Sequence, residues 1–212
     1  MLLALVLAVA AQKAPPHWPI SPLFADPGLR AALGSIDPKP GAWAEYLVRA
    51  PGKGDLRVRA TVLAAVEDGR YWLELATAGE SGLASAAKLL VRGNALSLDD
   101  VERLYVMIAG QQPIEVPLDE VRPAGAKKPP VEEQRVERLG PERVHVAAGE
   151  FNADVFRASG TRIWRAPGVP LWGLVKARSA RQSMELVASG TSGGHSLFPP
   201  GWDQGKGSES RK

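Results

Sequence analysis

Four sets of residues have types and spacings that could do chemistry. Gly190-Thr-Ser192-Gly-Gly194 spells the Gly-x-Ser-x-Gly signature of a serine nucleophile, with His195 immediately after it. That signature works on a strand-to-helix turn, with an acid and then a histidine following further along the chain. Few residues follow His195 and Pro199-Pro200 blocks a helix there, so the segment reads as a Gly-rich exit loop. Ser85-Ala-Ala-Lys88 fits the Ser-x-x-Lys of penicillin-recognising enzymes, but Lys-Thr-Gly and Ser-Asp-Asn are missing. His17, His145 and His195 are far apart and lack His-x-x-x-His spacing, so no metal site is expected. Glu45 and Glu74 each stand two residues after a tryptophan, Trp43 and Trp72. On alternate strands of a meander they would lie about 9.5 Å apart, near the spacing of an inverting glycosidase pair. Two solvated glutamates on an outer sheet face are the better reading. The chain has no cysteine, which removes disulfides, thiolate-bound metals, iron–sulfur clusters and thiol nucleophiles. The expectation is a non-enzymatic protein without catalytic residues, metal or cofactor.

The elements positioning these residues read as strands. Leu56–Val66 sets Leu56, Val58, Ala60, Val62, Ala64 and Val66 on one parity and Arg57, Arg59 and Thr61 on the other. A period of two gives one buried and one wet face. Ala42–Ala50 alternates in the same way, with Pro51–Asp55 as the hairpin loop. Glu67-Asp68-Gly69 signals a tight turn, because Asp-Gly tolerates positive φ, and Tyr71–Thr77 then completes a three-stranded meander. Gly82–Arg92 stays open between helix and strand, since its alanines and leucines suit a helix of marginal length. Val101–Ala109 reads as a strand by β-propensity, and Gln111–Pro130 as a Pro-rich connection. Val131–Leu139 reads as a strand that turns at Gly140-Pro141 into Glu142–Val146. Phe151–Ala158, Arg162–Arg165, Leu174–Ser179 and Ser183–Ser189 follow. The expected fold is mainly β (a β-rich α+β): one curved antiparallel sheet or incomplete β-barrel with one or two short helices.

The 212 residues suit one domain, and a net charge of +3 does not point to nucleic acid. Residues 2–11 are unbroken apolar, about ten where a bilayer span needs about 20, so no transmembrane segment is expected. Ala8-Val9-Ala10 ahead of Ala11-Gln12 is a small-x-small cleavage signature, which makes 1–11 a signal peptide and the protein exported. Residues 12–40 form a Pro-rich lead-in in which Gly28–Leu33 alone has room for a helical turn. The β domain spans 41–190, and 191–212 reads as a flexible C-terminal tail.

The chain has six tryptophans, and burying one removes roughly 150–250 Å² from water. Trp43 and Trp72 share the parity of Glu45 and Glu74, opposite Tyr46, Val48, Tyr71 and Leu73, so both sheet faces are partly apolar. Two arrangements remain. In one, a helix or the N-terminal segment covers a face. In the other, the sheet is open and its concave face holds a hydrophobic ligand. The candidate groove aromatics are Trp43, Tyr46, Tyr71, Trp72, Tyr105, Phe151, Trp164 and Trp172.

Five segments, in order, carry a family likeness: Gly41-Ala-Trp43-Ala-Glu45-Tyr46, Tyr71-Trp72-Leu73-Glu74, Val146-Ala-Ala-Gly149-Glu-Phe151-Asn-Ala153, Ile163-Trp164-Arg-Ala-Pro167-Gly-Val169-Pro170-Leu171-Trp172-Gly173-Leu174-Val175-Lys176, and Met184-Glu185-Leu186-Val187-Ala-Ser-Gly190. Across about residues 41–190 the chain resembles exported bacterial proteins related to the lipoprotein-localisation factors (LolA/LolB-like). The resemblance implies an incomplete antiparallel β-barrel over a helical lid, enclosing an apolar cavity. Gly28–Leu33 and Leu83–Leu90 are the segments that could supply the helices. It further implies a non-enzymatic periplasmic protein that binds a lipid or acyl chain, with a lipid or lipidated protein as partner. Without a cysteine for the anchor that LolB-like relatives use, the expected form is soluble, periplasmic or secreted, and not a lipoprotein. An envelope protein–protein interaction module, working through a sheet edge or the connector Pro123–Pro130, is the alternative. A hydrolase stands third.

Overall fold

The computed structural model describes residues 32–33, 36–52, 54–80, 82–93, 98–121 and 135–202. The signal-peptide segment, most of the Pro-rich lead-in, the connector Pro123–Pro130 and the tail from residue 203 lie outside the described residues. The strands are β1 (Trp43–Arg49), β2 (Leu56–Ala65), β3 (Arg70–Gly79), β4 (Gly82–Arg92), β5 (Val101–Ile108) and β6 (Ile114–Glu115), then β7 (Glu137–Val146), β8 (Gly149–Ala158), β9 (Thr161–Arg165), β10 (Leu174–Arg178) and β11 (Ser183–Gly190). They form one open 11-stranded sheet in the order β6-β5-β4-β3-β2-β1-β11-β10-β9-β8-β7. Each neighbouring pair is antiparallel. The fold class expected from the sequence is the one observed.

Two local readings are corrected. Gly82–Arg92 is a strand over its whole length, although its composition also suits a helix. It has a ladder on each side, Arg70↔Arg92 to Gly79↔Gly82 with β3 and Ser85↔Ile108 to Val91↔Val101 with β5. Two ladders outweigh the few tenths of a kcal/mol by which Ala and Leu prefer helix. The expected turn at Gly140-Pro141 is instead the interior of β7, with a register shift between Arg138 and Gly140. Because β7 is an edge strand, Pro141 has no outer ladder to break, and the bulge absorbs the irregularity. The Pro-rich connection holds the short β6 and one turn of helix, α1 (Leu118–Val121).

The sheet curls around the face that carries Tyr46. The register of β10 with β11 runs from Lys176↔Glu185 to Arg178↔Ser183. Beyond it the Ala148 amide, at the tip of the β7–β8 hairpin, donates to the Leu186 carbonyl at 3.3 Å. The outermost hairpin thus folds back towards the central strands. This inner face buries Tyr46, Val58, Tyr71, Leu73, Leu75, Leu89, Leu104, Ile163, Leu174 and Leu186 in one continuous cluster. Ala32, Leu33 and Ile36, the β9–β10 connector residues Val169, Leu171 and Trp172, and Val116, Leu118 and Val121 around α1 pack against the same cluster. Leu83–Leu90 therefore supplies no lid helix; the described cover consists of short segments.

The opposite, outer face has a smaller apolar cluster of Ala76, Ala86, Tyr105, Met107 and Phe198, with Trp72, Leu83 and Trp202 at its margin. Phe198 and Trp202 come from a C-terminal strap, residues 191–202, that crosses this face. The sequence predicts a helix or the N-terminal segment on one face; such segments pack on the inner face, and the C-terminal strap covers the outer one. Two glycines let the strap turn back against the sheet. A Cβ on Gly190 would sit 2.6 Å from Trp43 Nε1, and one on Gly194 would meet Thr61 Cγ2 at 2.7 Å and the Gly41 carbonyl at 2.8 Å. No helix among the described residues is long and apolar enough to cross a membrane.

Candidate functional site

The eight candidate aromatics do not line one groove. Tyr46 and Tyr71 are buried on the inner face and Trp172 in the connector that packs on it; Trp164 and Phe151 meet the same cluster from the opposite side of β9 and β8, with Arg162 and Lys176 over the Trp164 ring, and Trp43, Trp72 and Tyr105 lie on the outer face. The alternation read from the sequence accounts for the split, because residues of opposite parity on β1 and β3 point to opposite sides.

Within the main cluster the polar tips differ in their fate. The Tyr71 hydroxyl donates to the Gly93 carbonyl at 3.2 Å. Thr77 Oγ1 and Ser85 Oγ lie 2.9 Å apart. Tyr46 Oη, Trp164 Nε1 and Trp172 Nε1 are buried with no hydrogen-bond partner among the described residues. Burial alone pushes the Tyr46 phenol well above the ordinary tyrosine range, so it stays a neutral donor. Beside Trp172, the Arg165 guanidinium fastens the cover: Nε donates to the Trp172 carbonyl at 3.1 Å and Nη1 to the Ala32 carbonyl at 3.0 Å. Partial burial lowers the Arg165 pKa, and the nearby Asp154 acts against that. An isolated bridge between Asp37 and Leu171 joins the same two segments.

The outer face is held by polar contacts that the sequence did not reveal. Glu74, expected to be solvated, is 2% exposed. Its carboxylate accepts from Ser196 Oγ at 2.6 Å and from the Leu197 amide at 3.0 Å. Desolvation raises its pKa; the two strap donors, Lys88 and His195 pull it back without cancelling the rise. Trp43 Nε1 donates to the Ser192 carbonyl at 3.2 Å, and the Gly194 amide to the Gly41 carbonyl at 2.8 Å. Tyr105 and Trp202 meet edge-on with centroids 4.7 Å apart, and Lys88 Nζ lies 5.0 Å from the Trp72 ring and 5.5 Å from that of Trp202. Clamp donors more than 120 residues from Glu74 leave no local sequence signal; the Trp-x-Glu repeat was the closest available hint.

The letter-matched motifs have structural roles. Ser192 receives the Trp43 indole through its backbone carbonyl, within the strap. Ser85 and Lys88 are three apart on β4, which places them on opposite faces and parts the Ser-x-x-Lys pair. Glu45 is level with Arg59 and Ala76, whereas Glu74 is level with Thr61 and Trp43. Two strands across and two residues along give about 12 Å, beyond the inverting-glycosidase range. Glu45 is moreover taken by Arg57 at 2.8 Å. Among the described residues no group of His, Asp and Glu could hold a metal ion. An open depression of about 440 Å³ at the β8–β9 turn is lined by Arg135, Glu137, Arg157, Ala158, Ser159 and Gly160, and by none of the eight aromatics.

No protein-family model matches the chain, and no curated protein matches it. Among solved structures it is similar to one described as a "putative lipoprotein" from Parabacteroides distasonis. The TM-score is 0.37 at 8% identity, covering 73% of this chain and 97% of that one. It is also similar to a LolA superfamily protein from Nitrosomonas europaea, with a TM-score of 0.26 and 9% identity, covering 81% of this chain and 93% of that one.

Proposed function

We propose that this is a non-enzymatic, exported protein whose curled inner sheet face binds a lipid or acyl chain. The observation that carries this reading is the make-up of that face. It is a broad apolar surface on an open sheet, roofed among the described residues by short connecting segments. Among the described residues the one buried charged side chain, Glu74, is on the other face. A roof of short segments can part at little cost, and an acyl chain offers the same apolar contact that the roof supplies. Titration of the purified full chain with a fluorescent fatty-acyl probe, followed by mass spectrometry of co-purified lipid, tests the reading. Saturable binding with a recoverable lipid is expected; no binding and no lipid would overturn it. Fractionation of cells expressing the full chain tests export, with the soluble periplasmic or secreted fraction as the expected location.

A second reading, an envelope protein–protein interaction module, has its own support at the sheet edges. Ile114 on β6 is 54% exposed, and Leu139 on β7 also faces solvent. Crosslinking in cells separates the two: a protein partner captured through β6 or β7, with no lipid recovered, would favour the module.

A further inference from the structure

One end of the sheet carries a row of like charges. The ladders run Glu137↔Arg157↔Arg162↔Arg178↔Ser183↔Arg49 across β7, β8, β9, β10, β11 and β1. Residues joined in this way share a face, here the one opposite Tyr46, with neighbouring strands about 4.8 Å apart. Arg157 thus faces Arg162, and Arg162 faces Arg178. Like charges directly opposite one another destabilise a sheet, so the row needs an explanation. Packing accounts for one member: all four arginines are exposed, and Arg162 alone among them lies over a ring, that of Trp164. Counter-ions account for part of the rest. Glu137 takes Arg157, Glu142 takes Arg162, and Asp55 and Glu185 share Arg49. Arg178 has no ion pair among the described residues, and neither has Arg181 in the β10–β11 turn beside it. Arg135, two residues before Glu137, is likewise exposed and unpaired there, and with Arg157 it lines the open depression at the β8–β9 turn. The C-terminal strap leaves this rim open. It fastens at Trp43 and Glu74, whereas the row crosses β1 at Arg49, about 20 Å further along the strand.

We infer that this arginine rim docks the protein on an anionic bilayer surface, its guanidinium groups pairing with lipid phosphates. The inference concerns the face opposite the proposed acyl site and does not depend on it. Two observations choose the partner. First, the excess cations are all arginine, whose planar fork matches phosphate oxygens two at a time. Second, the rim lacks the apolar centre that a protein partner would bury. The exposed large apolar side chains of the described residues, Ile108, Ile114, Val136, Leu139 and Leu197, all lie outside the row. A bilayer needs no such centre. It presents phosphates along the whole row of about 24 Å, and each cation held near an anionic surface adds to the attraction.

The test is flotation of the full chain with vesicles of phosphatidylcholine alone and of phosphatidylcholine mixed with phosphatidylglycerol. At low salt the mixed vesicles should bind at least about tenfold more protein than the neutral ones. The excess should vanish in about 1 M sodium chloride, where the screening length is about 3 Å. Each arginine near the surface is worth about fivefold, so Arg178→Gln with Arg181→Gln should weaken binding to the mixed vesicles roughly 25-fold. Arg181→Glu alone, in a turn outside the ladder, should weaken it to a similar degree, which keeps the test independent of the strands. Arg138→Gln with Arg143→Gln removes the same charge from the opposite side of β7 and should change binding less than about threefold. Equal losses in the two double variants would mean that net charge, and not this rim, governs binding, and would overturn the inference. Equal binding to neutral and mixed vesicles would also overturn it, and would leave the acyl-binding reading standing. Binding to neither vesicle overturns it as well. If soluble polyglutamate then binds, and Arg178→Gln with Arg181→Gln abolishes that, the rim's partner is an acidic protein in place of a membrane.

Discussion

The two faces of the sheet solve the same burial problem differently. The inner face is larger and more apolar, and the cluster built on it holds three buried donors with no partner among the described residues. The outer face is smaller and mixed, and its buried carboxylate and its Trp43 indole are both matched by a single crossing strap. A chain that needed nothing more than a stable core would treat both faces alike. The difference separates a surface whose polar groups are matched by the C-terminal strap from a cluster in which the described residues leave some buried donors unmatched.

The largest test removes the finish. Ending the chain at Gly190 deletes Phe198 and Trp202 from the outer cluster and strips Glu74 of both donors. Burial of one large aromatic, part of another and the two hydrogen bonds together suggest a loss of about 4 kcal/mol. In a domain of this size that lowers Tm by roughly 8–16 °C, readable by calorimetry. A drop of a degree or two would show that the strap rests on the sheet without stabilising it.

Next comes the clamp itself. Glu74→Ala leaves Ser196 Oγ and the Leu197 amide without their acceptor and should cost about 2 kcal/mol in urea unfolding. Glu74→Gln retains an acceptor oxygen and removes the buried charge, so it should match or exceed the unmodified protein at neutral pH. The folded pKa of Glu74 is raised, so the native state binds its proton at higher pH than the unfolded chain does. Stability from this group is full below the ordinary carboxylate range and is lost as pH rises through the raised value. The advantage of Glu74→Gln should accordingly shrink as pH falls through that window; an advantage independent of pH would show that burial does not disfavour the charge.

A smaller pair of effects sets the buried tyrosines against each other. Tyr46→Phe should stabilise the lipid-free protein by about 1 kcal/mol, whereas Tyr71→Phe should destabilise it by a similar amount. Equal signs would erase the contrast drawn between the two hydroxyls. The smallest effect lies on the exposed surface. Arg157→Gln breaks a 3.4 Å pair with Glu137 in which both side chains are more than half exposed. The change should stay within about 0.5 kcal/mol, in keeping with solvent-screened pairs.

How legible each face was in the sequence follows from the range of its interactions. Alternation along β1, β2 and β3 assigned Tyr46, Val48, Tyr71 and Leu73 to one side and Trp43 and Trp72 to the other, because strand parity is a local property. The identity of β4 was hidden, since Ala86 and Ala87 serve a helix as well as a strand until β3 and β5 pair on either side. Pro141 looked like a turn because its place at the sheet edge is set by residues far along the chain. The strap was missed for the same reason, and its glycines mimicked a catalytic signature while serving close backbone approach. Aromatic content marked the interior as unusual, but which donors lack acceptors becomes visible once the packing is in place.

The strand order has a kinetic consequence. β1 through β6 step outward by successive hairpins, and β7 through β11 step inward the same way, so nearly every ladder is local. The exception is the join between β1 and β11, where Trp43 meets Gly190 across the centre of the sheet. Local hairpins form early, and the central join waits for the last strand to be made. Until then β1 has a free edge bearing Tyr46 and Val48, the arrangement most prone to pairing with a foreign strand. The join makes the sheet continuous, and the strap that follows immediately after β11 locks it with the Trp43–Ser192 contact. Folding of this chain is therefore expected to be rate-limited at its middle, by residues from its two ends.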